Sequence, residues 1–445
     1  KYKINFPENE FIREINKKLP RNSRISKIII IDNIPRTNTG KVQRSKIKNW
    51  INKGNFKENQ LNNQTLFKKK YFKPSSIVEK SKEAISITYN NLVYELKSKG
   101  RDIITLSLGE AFFDIPLLSF SNLPFPDIYH YSHSRGIIEL RKCLSEYFLE
   151  SYGIEINPES EILITAGSKI AIYMSLMTIL NPGDEVIILE PAWVSYVEQV
   201  KLCHGVPVSI SYDESIYSLE KYISNRTKLI IINNPNNPSG KIYSLEELNF
   251  LLTLSQKYNI FILSDEAYSE FTMHKEDFIS LGNLDNKKEK LLIVNSISKN
   301  YGISGWRLGY VITSNELINE ILKLNQHLIT CPPTILQHYI VKYFHEIIEI
   351  TYPQIKALLE KRKLLIDYMN SIKLDHLEGS ATFYFFISIA NSKLSSESFC
   401  RFLLTQHNIA TVPGIGYGKS CDKFIRISIG SESIERIKKA LYTIK

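Results

Sequence analysis

The sequence has few cysteines and no long apolar run. Its five cysteines are far apart and lack the spacing of a metal site or a redox pair, so they are interpreted as reduced thiols of a cytoplasmic protein. No stretch approaches the roughly 18 consecutive apolar residues of a membrane-spanning helix, so no membrane association is predicted. The first residue is Lys1 and no charged and apolar leader follows it, which suggests a piece of a longer polypeptide rather than a secreted precursor.

The chain also lacks an even distribution of charge. Of its 445 residues, positions 1–75 hold 19 Lys and Arg against 5 Asp and Glu, whereas the remaining 370 hold 37 against 41. The net charge of +10 therefore comes from the first segment, where basic and apolar positions are interleaved. Because this segment shows no helix-turn-helix pattern, nucleic acid is not predicted as a partner.

The N-terminal segment differs in composition from the rest of the chain. Residues 1–50 contain a short helical pattern, the strand-like run Ser26–Ile31 and a turn at Ile34–Lys41. Residues 51–75 are rich in Asn, Gln and Lys, which is typical of a linker. A second unit begins at about residue 76 and continues to the end without another change in composition.

In the second unit, short apolar runs alternate with amphipathic segments. The helical segments include Gly136–Phe148 and one opened by a capping box of Ser244 and Glu247. Strands that alternate with helices predict a mostly parallel sheet with helices on both faces and a ligand beyond the carboxyl ends of the strands. A smaller lobe would contain Phe383–Ile389 and Phe424–Ile429. The runs are Glu161–Thr165, Glu185–Leu189, Val206–Tyr212, Lys228–Asn233, Ile260–Asp265, Leu291–Ile297 and Leu308–Thr313.

A lysine stands at the end of one of these strands. Lys299 follows Leu291–Ile297, and Arg307 comes eight residues later. A lysine that is buried beside another cation is destabilised as an ammonium, and its free amine can form a Schiff base with a carbonyl cofactor. Because a lone lysine is more often a surface residue, the prediction depends on what surrounds it.

Complementary residues follow other strands of the same sheet. Asp265 and Tyr268 come after one strand, and Asn237 lies in the turn after another. The segment Gly167–Lys169 opens a helix whose free N–H groups suit a phosphate, and Trp193 supplies an aromatic ring. Each has an ordinary structural explanation when taken alone. Together they supply an amine, a carboxylate, hydrogen-bond donors, a phosphate cradle and a stacking ring at one edge of the sheet.

These motifs, in this order, resemble the class I/II aminotransferases, which are fold-type-I enzymes that use pyridoxal 5'-phosphate, and most closely their aspartate-aminotransferase-like branch. The resemblance implies an α/β fold with an N-terminal arm and part of the small domain (76–115), a large domain with a mostly parallel seven-stranded sheet (116–328) and the rest of a small α+β domain (329–445). It also implies a homodimer that moves an amino group from an amino acid to a 2-oxo acid by a ping-pong mechanism. The matching segments are Gly109-Glu110 with Phe113-Asp114, Tyr131–Gly136, Thr165–Lys169, Trp193–Tyr196, Asn234–Gly240, Asp265–Tyr268, Ser296–Tyr310, Gly379–Tyr384, Val412–Gly414 and Arg426–Ser428.

The resemblance also implies a role for each residue around the cofactor. Lys299 would hold the cofactor as a Schiff base and later carry the proton, and Asp265 would pair with the ring nitrogen. Tyr268 and Asn237 would bind the phenolic oxygen, and Trp193 would stack on the ring. The phosphate would be held by Gly167, Ser168, Lys169, Ser296 and Arg307, and by Tyr131 from the other subunit.

The substrate carboxylate would lie on Arg426, in a two-pronged salt bridge that a lysine makes poorly, with Gly109 and Asn237 beside it. Family members often have Pro and Asp where this chain has Ala111 and Phe112, in a loop on the substrate side. No residue can be assigned to a distal carboxylate. The preference for the amino-acid side chain therefore stays open.

The first fifty residues have a resemblance of their own. Ile34–Arg44 is similar to the closing motif of adenylate-forming enzymes, nearer to acyl-CoA synthetases than to peptide-synthetase adenylation domains. Lys41 matches the lysine that contacts the acyl-adenylate in that family. The resemblance implies that residues 1–50 are the C-terminal remnant of a ligase, joined by the linker 51–75 to the aminotransferase, and that the ATP-binding part of the ligase is missing.

Two other functions use the same features. A lyase, racemase or cyclopropane-forming synthase of fold type I would need the same cofactor residues. An aminotransferase-like transcription regulator would explain the basic N-terminal segment, although residues 1–50 match a ligase better. The ping-pong transaminase is the leading hypothesis because the motifs match that family in order and number.

Two motifs are not taken as sites. Gly418-Lys419-Ser420 ends like a phosphate loop, but Pro413 stands where the opening glycine would be required. His130 and His133 lack the glutamate of a zinc-protease motif, so no metal is predicted.

Overall fold

The computed structural model describes residues 12, 14–17, 34, 36–37, 41–52, 74–116 and 118–445. The chain divides into two units, Lys1–Pro74 and Ser75–Lys445. In the first unit, Thr37 donates its backbone N–H to the Lys41 carbonyl at 2.8 Å. Helix α1 (Arg44–Asn52) comes directly after this predicted turn. The predicted strand 26–31 and residues 53–73 of the predicted linker lie outside the described residues.

The second unit contains three sheets in its described part. The main sheet has seven strands in the order β2-β8-β7-β6-β5-β3-β4, in which β8 is antiparallel to both neighbours and the other pairs are parallel. This confirms the predicted α/β fold with a mostly parallel seven-stranded sheet. The bounds are β1 (Ile104–Thr105), β2 (Ile162–Thr165), β3 (Glu185–Leu189), β4 (Val206–Ile210), β5 (Thr227–Asn233), β6 (Phe261–Asp265), β7 (Leu291–Asn295), β8 (Gly309–Ile312), β9 (Tyr384–Ser388), β10 (Ile409–Ala410), β11 (Val412–Pro413) and β12 (Phe424–Ser428).

The main sheet is buried on both faces. In β5, Ile230 and Ile232 belong to the apolar cluster on one side, and Leu229 and Ile231 belong to the cluster on the other. Successive side chains of a strand point to opposite faces, so only a strand covered on both sides is apolar throughout. This is why the strands are readable as continuous apolar runs. The two smaller sheets are β11-β12-β9, which is antiparallel, and β1-β10, which is parallel.

Helices connect the strands and have recognisable ends. The capping box of Ser244 and Glu247 is present, as predicted. The helix predicted over 136–148 begins two residues later, because Gly136 has a φ of 92° and packs against Ile164. The remaining helices are α2 (Ser76–Lys80), α3 (Ile85–Ser98), α4 (Ile138–Tyr152), α5 (Ser168–Ile179), α6 (Tyr196–Leu202), α7 (Leu245–Tyr258), α8 (Ile297–Asn300), α9 (Asn315–Leu328), α10 (Thr334–Ser371), α11 (Ser396–His407) and α12 (Ile434–Ile444).

Candidate active site

A cavity of about 500 Å³ lies at the carboxyl ends of the central strands. Asn233 at the end of β5 is in register with Asp265 at the end of β6, and Asp265 is in register with Val294 of β7. Parallel strands therefore deliver their terminal polar residues to one place. Eleven residues singled out from the sequence line this cavity: Gly109, Ser168, Lys169, Trp193, Asn237, Asp265, Tyr268, Ser296, Lys299, Arg307 and Arg426.

Lys299 lies in the single-turn helix α8, directly after β7. The Ser296 hydroxyl caps this helix by accepting the Lys299 backbone N–H at 3.1 Å. The side-chain amine donates a hydrogen bond to the Gly109 carbonyl. Burial lowers the pKa of Lys299 to about 8; the Glu110 carboxylate opposes this shift, whereas the cations of Arg426, Arg307 and Lys169 add to it. The amine is therefore easier to deprotonate than that of an ordinary lysine.

Asp265 places a carboxylate in the same cavity. Burial raises the pKa of this group to about 6, while hydrogen bonds from Tyr196 and from the Ala267 N–H act in the opposite direction. The Tyr196 hydroxyl donates to Oδ2 at 2.5 Å. The ring of Tyr196 meets Trp193 edge-on, with the ring centroids 5.2 Å apart. One phenol thus contacts both the acid and the indole of the site.

Positive charge converges at the N-terminus of α5. Gly167 precedes this helix with a φ of 91°, and a Cβ at that position would come within 2.5 Å of Nη2 of Arg307. Glycine thus allows the guanidinium to approach the helix terminus, which itself carries partial positive charge. Nζ of Lys169 lies 5.1 Å from the ring centroid of Trp193, and burial lowers the pKa of Lys169. This arrangement suits a phosphate anion.

Arg426 is buried on β12, between β9 and β11. Its Nη2 donates to the Ser107 carbonyl at 2.8 Å, and its Nη1 lies 3.4 Å from Oδ1 of Asn237. These acceptors are neutral, and Nε has no hydrogen-bond partner among the described residues. A buried guanidinium of this kind, facing a cavity, is suited to bind a carboxylate in the forked geometry that arginine favours.

A chain of hydrogen bonds links the Asn234–Gly240 turn to β9. The Asn237 backbone N–H donates to Oδ1 of Asn233 at 2.7 Å, and Nδ2 of Asn237 donates to the Tyr268 hydroxyl at 3.4 Å. The hydroxyls of Tyr268 and Tyr384 are 2.9 Å apart. These contacts hold an amide and two phenols in the cavity wall.

Two residues of the predicted site lie outside this lining. Gly167 contacts Arg307 without lining the cavity, and Tyr131 is 85% exposed. The sequence predicted no role for Tyr196 or Tyr384, although both lie in matching segments, Trp193–Tyr196 and Gly379–Tyr384. Nothing in a linear sequence distinguishes a buried tyrosine that contacts a site from one that fills a core.

Gly418-Lys419-Ser420 does form an anion-binding loop, but its anion belongs to the protein. The Glu190 carboxylate accepts the backbone N–H of Lys419 at 3.0 Å and that of Ser420 at 2.9 Å. The Ser420 hydroxyl donates to the same carboxylate at 2.6 Å. The loop therefore ties the end of β3 to the segment before β12.

The described part of the chain contains neither a metal centre nor a membrane-spanning helix. No group of three or more His, Cys, Asp and Glu side chains in that part could hold a metal ion. None of its helices combines the length and the hydropathy needed to cross a membrane.

The fold and the cavity define an α/β enzyme with a lysine, an acid and an anion cradle at the ends of parallel strands. Residues 117–444 match the family described as aminotransferase class I and II. The chain therefore belongs to the class I and II aminotransferases.

Relatives with different substrates are similar to this chain to nearly the same extent. The aspartate aminotransferase of Pyrococcus abyssi is 29% identical over 368 residues, which cover 78% of this chain and 94% of the relative. The aromatic-amino-acid aminotransferase 2 of Thermococcus litoralis is 30% identical, with coverages of 78% and 94%. The structure of the Thermus thermophilus aspartate aminotransferase with maleate superposes with a TM-score of 0.75 at 28% identity, covering 83% of this chain and 98% of that one.

Proposed function

We propose that this aminotransferase uses pyridoxal 5'-phosphate to move an amino group from an amino acid to a 2-oxo acid by a ping-pong mechanism. One observation carries the proposal: a lysine with a lowered pKa faces the same cavity as a buried carboxylate and an anion cradle. A structural lysine would need none of these neighbours. The family membership supports the transfer reaction, and the cavity supports the cofactor.

The residues present fit that cofactor. Arg307, Ser296 and the N-terminus of α5 at Gly167 and Ser168 would hold its phosphate, with Lys169 beside them. Asp265 would stabilise a proton on the ring nitrogen, Trp193 would contact the ring face, and Tyr268 with Asn237 would donate to the phenolic oxygen. When bound, pyridoxal phosphate supplies an aldehyde for an amine and a ring that withdraws electrons.

Lys299 would act first as the amine that binds the cofactor and then as the base that moves the substrate proton. Its lowered pKa allows both tasks, because each requires a neutral amine near physiological pH. Arg426 would hold the substrate carboxylate in a forked salt bridge, with Gly109 and Asn237 lining the same position. The missing Cβ of Gly109 keeps that position open.

The test of the ping-pong mechanism separates the two half-reactions. With alanine, aspartate or phenylalanine as donor and no acceptor, the absorbance band of the bound cofactor should shift and one equivalent of 2-oxo acid should appear. Addition of a different 2-oxo acid should restore the band. Continuous product release from the donor alone would instead establish a lyase or synthase reaction.

We also propose a homodimer in which Tyr131 completes the phosphate site of the other subunit. Tyr131 is 85% exposed. Contact with a second subunit would remove its aromatic ring from water, which is favourable, and this supports the role. Co-expression of Lys299→Ala and Tyr131→Ala chains tests it. A hybrid dimer would contain one unaltered site, so its activity should exceed that of either variant alone; no recovery would contradict the shared site.

We also propose that residues 1–50 are the end of a ligase that is fused through residues 51–75 to the aminotransferase. In the aminotransferase, residues 76–115 would form the N-terminal arm and part of the small domain, residues 116–328 the large domain and residues 329–445 the small C-terminal domain. The turn that ends at Lys41 supports this proposal. The full polypeptide should catalyse exchange between ATP and pyrophosphate, whereas this chain alone should not. The five free thiols support a cytoplasmic location.

A further inference from the structure

Tyr384 lies between Tyr268, which is proposed to bind the cofactor, and Arg426, which is proposed to bind the substrate carboxylate. It is the first residue of β9, it is completely buried, and it lines the cavity. On one side its hydroxyl meets that of Tyr268. On the other side its ring lies beneath Arg426, with 4.6 Å between the guanidinium carbon and the ring centroid.

The hydroxyl contact sets the direction of a hydrogen bond into the cavity. Burial raises the pKa of both Tyr268 and Tyr384, so both phenols keep their protons at neutral pH. The oxygen of Tyr268 can accept from Tyr384 at 2.9 Å and from Asn237 at 3.4 Å. With these donors on its oxygen, the Tyr268 hydrogen is free to point at an acceptor in the cavity. A phenol that accepts one hydrogen bond becomes a stronger donor in the next.

The contact between the Tyr384 ring and Arg426 holds the arginine on the side of the cavity where the substrate would bind. A guanidinium over an aromatic face is attracted to it, and the attraction is strongest where water is excluded. Arg426 is only 3% exposed, so this condition is met. A Cβ at Gly109 would lie 3.2 Å from the Tyr384 hydroxyl and 3.6 Å from both Nη atoms of Arg426. The tyrosine and the arginine thus share one wall of the space that Gly109 leaves open.

The backbone of Tyr384 is itself held in place. Its carbonyl accepts a hydrogen bond from the buried guanidinium of Arg362. Its Cα is in register with Ser428, two residues after Arg426 on β12. The side chain therefore has little freedom to leave either contact.

We propose that Tyr384 is a positioning residue that aims the Tyr268 hydroxyl at the phenolic oxygen of the cofactor and holds Arg426 for the substrate carboxylate. The inference rests on the proposed function. Tyr384 contacts Tyr268 through its hydroxyl and Arg426 through its ring. Substitutions that remove the hydroxyl alone, or the hydroxyl and the ring, should therefore separate the two effects.

The test compares Tyr384→Phe and Tyr384→Met with wild type, all loaded with pyridoxal phosphate. Tyr384→Phe should raise the pH midpoint of the cofactor absorbance by about half a unit, because a weaker donor leaves more charge on the phenolic oxygen unpaired. The affinity of Tyr384→Phe for the amino donor, whichever of alanine, aspartate and phenylalanine reacts best with wild type, should stay within about twofold of the wild-type value. Tyr384→Met should shift the midpoint similarly and weaken donor binding by roughly fivefold.

Tyr339→Phe is the matched control, because it removes the hydroxyl of another buried tyrosine that does not line the cavity. It should change neither quantity. An unchanged midpoint in Tyr384→Phe would overturn the inference, and so would wild-type donor affinity in Tyr384→Met. If Tyr384→Met does not fold, Tyr384→Phe still decides the hydroxyl contact. Failure of the wild-type protein to bind pyridoxal phosphate would reject the proposed function instead.

Discussion

The Tyr196 hydroxyl donates a 2.5 Å hydrogen bond to Asp265, and both side chains are buried. The pair comes from two separate elements, since Tyr196 begins α6 and Asp265 ends β6. The phenol takes up one carboxylate oxygen and packs its ring against Trp193. The acid that would face the cofactor ring nitrogen and the indole that would face the ring plane are therefore positioned by one residue.

Tyr196→Phe should weaken cofactor binding while leaving the fold intact. Loss of the hydroxyl removes the hydrogen bond that orients the Asp265 carboxylate, so the carboxylate is no longer held in place to face the ring nitrogen. A hydrogen bond to a charged group contributes about 1.5–3 kcal/mol, which corresponds to roughly tenfold or more in the dissociation constant of pyridoxal phosphate. Equilibrium dialysis of the apoprotein with pyridoxal phosphate measures this dissociation constant.

The matched control for this change is Tyr147→Phe. The Tyr147 hydroxyl also donates a 2.5 Å hydrogen bond to a carboxylate, that of Glu270, but neither residue lines the cavity. Its loss should lower stability without changing cofactor affinity. Equal effects of the two substitutions on the dissociation constant would show that Tyr196 acts only through the fold.

The capture of pyridoxal phosphate by the apoprotein should depend on pH through Lys299. Only the neutral amine attacks an aldehyde, and the lowered pKa of about 8 means that half of the amines are neutral at that pH. The rate constant should rise by about tenfold per unit below pH 8 and level off above it, whereas a free lysine would level off above about 10.4. Stopped-flow absorbance follows the reaction.

Lys299→Ala provides the control for this measurement. It should bind the cofactor without a link that borohydride reduces to a stable bond. A pH profile that continues to rise beyond pH 10 in the wild-type protein would show that the amine is not perturbed. A reducible link in the variant would assign the amine to another lysine.

Arg426→Lys should act on substrate binding more than on turnover. Lysine retains the charge but cannot form two parallel hydrogen bonds to a carboxylate, and it loses the contact with the Tyr384 ring. We expect KM for the amino donor to rise by about 10–100-fold while kcat falls by less, since the bond is made in both the ground state and the transition state. A loss confined to kcat would place the substrate carboxylate elsewhere.

The main sheet could be predicted because its strands are apolar on both faces and are separated by helices with recognisable caps, such as Ser244 with Glu247. Errors at element ends have local causes. The run predicted to end at Ile297 stops at Asn295, because Ser296 caps helix α8.

The contacts that the sequence did not predict join residues far apart in the chain. Tyr268 and Tyr384 are separated by 116 positions and Tyr196 and Asp265 by 69. A tyrosine that fills a core and a tyrosine that donates a hydrogen bond in a site are the same residue type and can have similar neighbours in the sequence. Only the packing of β9 against β12 and of α6 against the sheet distinguishes them.

Glu190→Gln should lower stability and loosen the segment that carries Trp193. The carboxylate accepts three hydrogen bonds from Lys419 and Ser420, and the Ala192 N–H donates to the Tyr417 carbonyl at 2.8 Å beside them. An amide offers one acceptor oxygen and turns its NH₂ toward donors, so at least one N–H loses its partner. Urea unfolding should show a loss of about 1–3 kcal/mol in the free energy of unfolding.

The control is Glu150→Gln, a substitution of an exposed residue in α4, whose free energy of unfolding should stay within about 0.5 kcal/mol of wild type. Equal midpoints for both variants would show that the loop holds its shape without the carboxylate.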